Sequence, residues 1–173
     1  MQEQEYELGL IGLGTMGQNL LMNMADQGFS VAGYDNDPAK VEQIHDTDRR
    51  HKIIGKPELP DFIGILKKPR VILLLVPAGR IVDEVIGEIA PFLEKGDIIV
   101  DGGNSHYVDT ERRIDALKNQ KIEFVGMGNS GGAEGARKGP SMMPGGSPEA
   151  WKRIRSVFEA TAAKVDGEPC VAY

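Results

Sequence analysis

At 173 residues the chain can bury one well-formed core and is too short for two domains of ordinary size. Its net charge of -6 leaves no basic excess to displace counterions from a phosphate backbone, which argues against nucleic acid as a partner. No apolar run approaches the roughly 20 residues of a membrane span, residues 1–5 are acidic and unlike a leader, and the lone Cys170 allows no internal disulfide. The expectation is a cytoplasmic protein without a membrane partner.

Apolar runs then alternate with amphipathic stretches, the pattern of βαβ units around a parallel sheet buried on both faces. Residues 8–11 predict a strand, 18–26 a helix with Leu20, Leu21 and Met24 on one side, and 30–34 a second strand. Pro38 suits the first turn of a helix running through Val41 and Ile44, and the charged segment 47–52 has no clear period. Residues 71–76, apolar throughout and β-branched at the start, predict a strand deep in the sheet. Helix 81–92, strand 98–100, helix 110–118 and strand 122–125 follow, with Asp109 and Thr110 read as an N-cap and Glu111, Arg112 and Arg113 as a charged outer face. Residues 129–146 are dense in glycine and carry charges, a poor core and a poor helix, so they read as a substrate-facing loop kept for what its backbone and small side chains touch. The last helix, 148–163, spaces Trp151, Ile154 and Phe158 to share a face. The expected fold class is α/β, a Rossmann-type doubly wound and mostly parallel sheet with helices on both faces, as one domain over residues 1–173.

Gly12-x-Gly14-x-x-Gly17 sits where a strand hands over to a helix. Glycines there allow a tight turn, close approach to a pyrophosphate and close helix–strand packing, with the helix N-terminus supplying partial positive charge. Asp35 ends the next strand, at the distance of about twenty residues where an acidic side chain meets the adenosine ribose of NAD. The plainer reading is a glycine turn and an exposed carboxylate. Neither Asn36 nor Asp37 offers a positive charge to a 2′-phosphate, so NAD is expected over NADP, with Lys40 as the residue that could reverse the preference. Val76-Pro77-Ala78-Gly79 closes its strand as either a ligand loop or a plain turn. Asp101-Gly102-Gly103-Asn104-Ser105 closes another, its glycines admitting a bulky ring and Asn104 and Ser105 offering hydrogen bonds. Ser130-Gly131-Gly132 with Arg137 and Lys138 could form an anion nest, although the order does not match a P-loop. His45 and His51 read as solvated and His106 as a neighbour of the site, and no cluster has metal-ligand spacing.

Four stretches resemble the decarboxylating 6-phosphogluconate dehydrogenase family: the run from Gly12 to Leu20, Lys67-Lys68-Pro69-Arg70, the Asp101–Ser105 block with Asp109-Thr110 and Arg112-Arg113, and residues 125–146. The resemblance covers essentially the whole chain. It implies an enzyme of the pentose phosphate pathway that oxidises the C3 hydroxyl of 6-phosphogluconate by hydride transfer to a nicotinamide and then loses carbon dioxide, giving ribulose 5-phosphate. It also implies that Gly12, Gly14 and Gly17, with Leu13, Thr15 and Met16 between them, hold the pyrophosphate, and that Asp35, Asn36 and Asp37 hold the adenosine. Val76, Pro77 and Ala78 would line the cofactor, Asn104 would touch cofactor and substrate, and Ser130, Gly131 and Gly132 would hold the substrate's hydroxyl and carboxylate end.

Three departures bear on the cofactor. Gly14 replaces an alanine common in NADP-dependent members, Asp35-Asn36-Asp37 replaces Asn-Arg-Thr, and Pro77 replaces a frequent lysine. NAD is therefore the expected cofactor and NADP the weaker candidate. The resemblance puts the general base lysine and general acid glutamate beyond Tyr173, in an all-helical domain that also makes the family's homodimer, so no catalytic residue is expected here. The chain by itself is expected to bind dinucleotide and turn over little or no substrate. Two other readings are a related β-hydroxyacid dehydrogenase and a non-catalytic dinucleotide-binding module.

Overall fold

The computed structural model describes residues 5–45 and 52–173, without the His45 side chain. Its main sheet has seven strands in the order β3-β2-β1-β4-β5-β6-β7. These are β1 (Leu8–Ile11), β2 (Val31–Tyr34), β3 (Ile53–Gly55), β4 (Val71–Leu74), β5 (Ile98–Asp101), β6 (Glu123–Ser130) and β7 (Ser141–Gly146). The first six run parallel and β7 returns antiparallel along β6. The helices are α1 (Thr15–Asp26), α2 (Pro38–His45), α3 (Leu59–Gly64), α4 (Arg80–Ile89), α5 (Tyr107–Lys118), α6 (Gly132–Lys138) and α7 (Pro148–Thr161). A small hairpin, β8 (Lys164–Val165) and β9 (Glu168–Pro169), follows α7.

Successive strand residues point to opposite faces, and the core divides accordingly. Leu73 shares one cluster with Leu21 of α1, Ile44 of α2, Ala136 of α6 and Phe158 of α7. Its neighbours Ile72 and Leu74 share the other with Phe62 of α3, Val82 of α4 and Leu117 of α5. Both faces of the sheet are therefore covered, which is why the strands read as unbroken apolar runs. The expected doubly wound α/β architecture is the observed one.

Several local expectations are corrected. Helix α1 starts at Thr15 rather than residue 18, because Gly14 stands as its N-cap in extended geometry. β4 ends at Leu74, although Leu75 still donates its N–H to the Ile11 carbonyl at 2.8 Å. The helix expected to reach Phe92 tightens into a 3-10 turn at Ala90–Phe92, where the Pro91 ring opposes another α turn. β3 and α3 were not foreseen, since three residues show no alternation and six make fewer than two helical turns. Residues 46–51, with His51 and most of the charged segment, lie outside the described residues.

Residues 129–146 form regular structure and not the expected loop. They finish β6, form the two-turn α6 and return as the sheet-closing β7. Ala136 and Met142 are buried in the core. Gly139, at φ 135°, ends α6 where a Cβ would fall 2.7 Å from the Ala163 backbone, so this glycine serves close packing. The buried Asn23 of α1 donates to the Ala136 carbonyl at 3.1 Å and the Thr161 carbonyl at 2.9 Å, tying α6 and the end of α7 to α1. The cap of α5 also moves: His106 is the N-cap, its Nδ1 accepting from the Val108 N–H at 3.4 Å. Arg113, expected on the outer face, is only 2% exposed.

Candidate functional site

The carboxyl-terminal edge of the parallel strands collects the segments singled out by sequence. β1 and β4 are neighbours whose following helices pack on opposite faces, and this switch point opens a crevice. A cleft of about 440 Å³ lies there, lined among others by Gly12, Gly14, Asp35, Asn36, Val76 and Pro77.

The three glycines answer different demands. At Gly12, φ 101°, a Cβ would sit 2.4 Å from the Leu75 carbonyl oxygen. At Gly17 it would sit 1.8 Å from the Gly12 carbonyl oxygen, so α1 can start this close to β1 only without a side chain there. At Gly14 a Cβ meets nothing within 4 Å. That open space lies before the N-terminus of α1, which has no side-chain cap and no acidic residue in its first turn. Its free N–H groups and the helix dipole favour an anion, so the cradle fits the pyrophosphate of a dinucleotide. Leu13 is fully buried and could meet a ligand only through its backbone, whereas Met16 packs against the core and leaves part of its side chain exposed. Thr15 is exposed and lines an adjoining hollow with Gly14, Asp37 and Lys40.

Asp35 is already engaged. Its Oδ2 accepts the Leu13 N–H at 2.7 Å, its Oδ1 accepts the Asp37 N–H at 2.9 Å, and the Lys40 ammonium straddles both at 3.2 and 3.4 Å. The carboxylate thereby braces the glycine turn, and Lys40 supplies the positive charge that Asn36 and Asp37 lack. Glu84 and Glu88, four residues apart on α4, also line the cleft and were missed in the sequence. Their signal is helical spacing on the helix that follows Val76-Pro77. Tyr34, on the same wall, has its phenol pKa raised by burial first and then by Glu88, Glu58 and Asp35, so it stays protonated.

Beyond β4, two turns stack on one another. A Cβ on Gly103 would fall 2.5 Å from the Val76 carbonyl oxygen, which brings the Val76–Gly79 and Gly102–Ser105 turns into contact. Asn104, at φ 59°, is held by a two-bond clasp: its Oδ1 accepts the Asn129 N–H at 2.7 Å and its Nδ2 donates to the Asn129 carbonyl at 3.2 Å. The Asn129 side chain in turn donates to the Gly102 carbonyl at 2.9 Å. Asn104 is thus brought beside the end of β6, next in the chain to Ser130, Gly131 and Gly132, all exposed. The expected basic pair does not join them. Arg137 pairs with Asp26 at 2.7 Å and Lys138 with Glu134 at 2.8 Å, at the far end of α6. Among the described residues no group of side chains could hold a metal ion, and no helix is long and apolar enough to cross a membrane.

Residues 7–172 match the family model described as the NAD binding domain of 6-phosphogluconate dehydrogenase. The chain belongs to that family. It is 54% identical over 168 residues to 6-phosphogluconate dehydrogenase, decarboxylating 1, of Saccharomyces cerevisiae, covering 96% of this chain and 34% of that protein. To the decarboxylating enzyme of Chlamydia trachomatis it is 51% identical, covering 96% of this chain and 35% of the relative. Among solved structures, 6-phosphogluconate dehydrogenase of Plasmodium falciparum superposes with a TM-score of 0.90 at 42% identity, covering 96% of this chain and 36% of that one. That enzyme was solved in apo form, with its cofactor NADP+ and with its substrate 6-phosphogluconate. The chain spans about a third of the length of the curated relatives it matches. Within this family the cleft at the β1–β4 switch point is the NAD(P)-binding candidate.

Proposed function

We propose that residues 1–173 are the dinucleotide-binding domain of a cytoplasmic, homodimeric enzyme that oxidatively decarboxylates 6-phosphogluconate to ribulose 5-phosphate with hydride transfer to NAD(P), NAD being favoured. One observation carries the reading: the uncapped N-terminus of α1 faces open space at Gly14, beside a strand-end carboxylate, at the switch point of the sheet. The names of the 6-phosphogluconate dehydrogenase relatives supply the substrate. Gly12, Gly14 and Gly17 with the backbone of Leu13, Thr15 and Met16 cradle the pyrophosphate, while Asp35, Asn36 and Asp37 border the adenosine. Val76, Pro77 and Ala78 line the cofactor, Asn104 meets cofactor and substrate, and Ser130, Gly131 and Gly132 meet the sugar acid. When bound, the nicotinamide supplies the hydride acceptor. These residues bind and orient, and the reading assigns the proton-abstracting base to the part of the relatives that extends past the matched third.

The cofactor preference rests on charge. Three carboxylates line the cleft, Asp35, Glu84 and Glu88, against one ammonium, Lys40. A 2′-phosphate enters this balance at a cost of about 1 kcal/mol per like charge ~4 Å away in water and more where water is excluded. Lys40 offsets part of it from 3.2 Å beside Asp35. Calorimetric titration of this chain with NAD+ and NADP+ is expected to show both binding and NAD+ tighter by several-fold. Equal or tighter NADP+ overturns the preference, and no binding of either overturns the reading.

A further inference from the structure

Arg113 has no part in the cofactor roles above, yet it is among the largest fully buried side chains of the molecule. Its guanidinium makes four hydrogen bonds to two segments, residues 79–83 and 101–105. Nε donates to Asp83 Oδ1 of α4 at 2.8 Å, and Nη2 to the Gly79 carbonyl, in the turn after β4, at 2.9 Å. Nη1 donates to Asp101 Oδ2 at the end of β5 at 3.0 Å and to Ser105 Oγ, in the turn after β5, at 2.9 Å. Asp101 also braces its own turn, its Oδ1 accepting the Gly103 N–H at 3.0 Å. The Arg113 hydrogen bond is the main cause that holds the Asp83 carboxyl at about 2, against an ordinary 3.8.

Two of the four bonds pair Arg113 with the carboxylates of Asp83 and Asp101, and the other two go where charge balance does not require them. The Gly79 carbonyl and the Ser105 hydroxyl belong to the two turns that carry Val76-Pro77-Ala78 and Asn104. We propose that Arg113 is a positioning residue that locks the turn after β4 to the turn after β5, so that the nicotinamide half of the site is set as one rigid unit before cofactor arrives. This rests on the cofactor reading above. The ADP half has its own braces at Gly12–Gly17 and Asp35 and meets the Arg113 network only through α4, where Asp83 precedes Glu84. Rigid placement matters because ordering two turns at the moment of binding subtracts from affinity.

The planar fork of arginine is what reaches several partners at once, and lysine keeps the charge without the fork. Arg113→Lys therefore separates positioning from charge burial. The assay compares NAD+ with ADP-ribose, which lacks the nicotinamide, by calorimetric titration of the full chain. In Arg113→Lys, NAD+ is expected to bind about ten-fold more weakly while ADP-ribose stays within about two-fold. Should that variant fail to fold, Ser105→Ala removes one partner from the turn after β5 and is expected to weaken NAD+ about two- to five-fold with ADP-ribose unmoved. Parallel losses for both ligands, or unchanged NAD+ affinity in a folded variant, overturn the positioning role. If the unaltered chain binds ADP-ribose but gains nothing from the nicotinamide, the positioning role is overturned while the ADP half of the cofactor reading stands. Failure of the unaltered chain to bind either ligand sinks the cofactor reading itself.

Discussion

Replacing Gly17 by alanine sets a Cβ 1.8 Å from the Gly12 carbonyl oxygen and 3.3 Å from Leu10 Cδ2. Real Cβ atoms essentially never come within 3.0 Å of such a neighbour, so α1 and the turn must part by about 1.2 Å or more. The helix has nowhere easy to go, because Leu20, Leu21 and Met24 fix its other side in the core and Asn23 bonds it to α6 and α7. Overpacking of this kind costs about 1–3 kcal/mol. For a domain of this size that lowers the melting temperature by roughly 3–10 °C. The same shift carries the first-turn N–H groups off the pyrophosphate position, and two charge-assisted hydrogen bonds lost there amount to about 100-fold in affinity. Gly14→Ala is the matched control, since its Cβ meets nothing within 4 Å and its φ of -67° suits alanine. Its melting temperature is expected to hold or to rise slightly, as the unfolded chain loses freedom. Any loss in that variant falls on the ligand alone. Scanning calorimetry and ligand titration of both variants decide the matter. A Gly17→Ala protein that melts within about 1 °C of the parent and keeps its affinity refutes the close-packing argument.

Three further outcomes are expected. Lys40→Met removes the ammonium beside Asp35 and should weaken NADP+ about five-fold more than NAD+, whereas Asp35→Asn should narrow the gap; equal effects on the two cofactors in titration would contradict the charge argument. Asp83 has a folded pKa of about 2, below its ordinary 3.8, so the stability it contributes is fully present above about pH 4 and is lost as pH falls through about 2. Asp83→Asn should flatten that part of the acid unfolding curve, and an unchanged profile by circular dichroism counts against it. Asn23→Leu leaves the Ala136 and Thr161 carbonyls without their donor and should cost about 2–4 kcal/mol in urea unfolding; a cost below about 1 kcal/mol would show that the two bonds are replaceable.

Local sequence carried much of this protein. The alternation of Val, Ile and Leu runs with amphipathic stretches determined a doubly wound sheet, because strands buried on both faces cannot alternate in polarity. The spacing of Gly12, Gly14, Gly17 and Asp35 marked the candidate cofactor edge, because the strand-turn-helix junction leaves no room for a Cβ at Gly12 and Gly17. What local pattern could not show depended on partners distant in the chain. The segment from Asn129 to Gly146 looked too rich in glycine for regular structure, yet pairing with β6 and packing on α1 gave it a helix and an edge strand. Arg113 beside Arg112 looked like half of a charged surface, and only the approach of Gly79, Asp83, Asp101 and Ser105 turned it inward. Lys40 was visible as a neighbour of Asp35, but its ion pair needed the turn of α2 to bring it back to the end of β2. Sequence determined which backbone conformations were affordable and which faces had to be buried. Tertiary structure decided which charges met, because ion pairs depend on positions in space that periodicity does not encode.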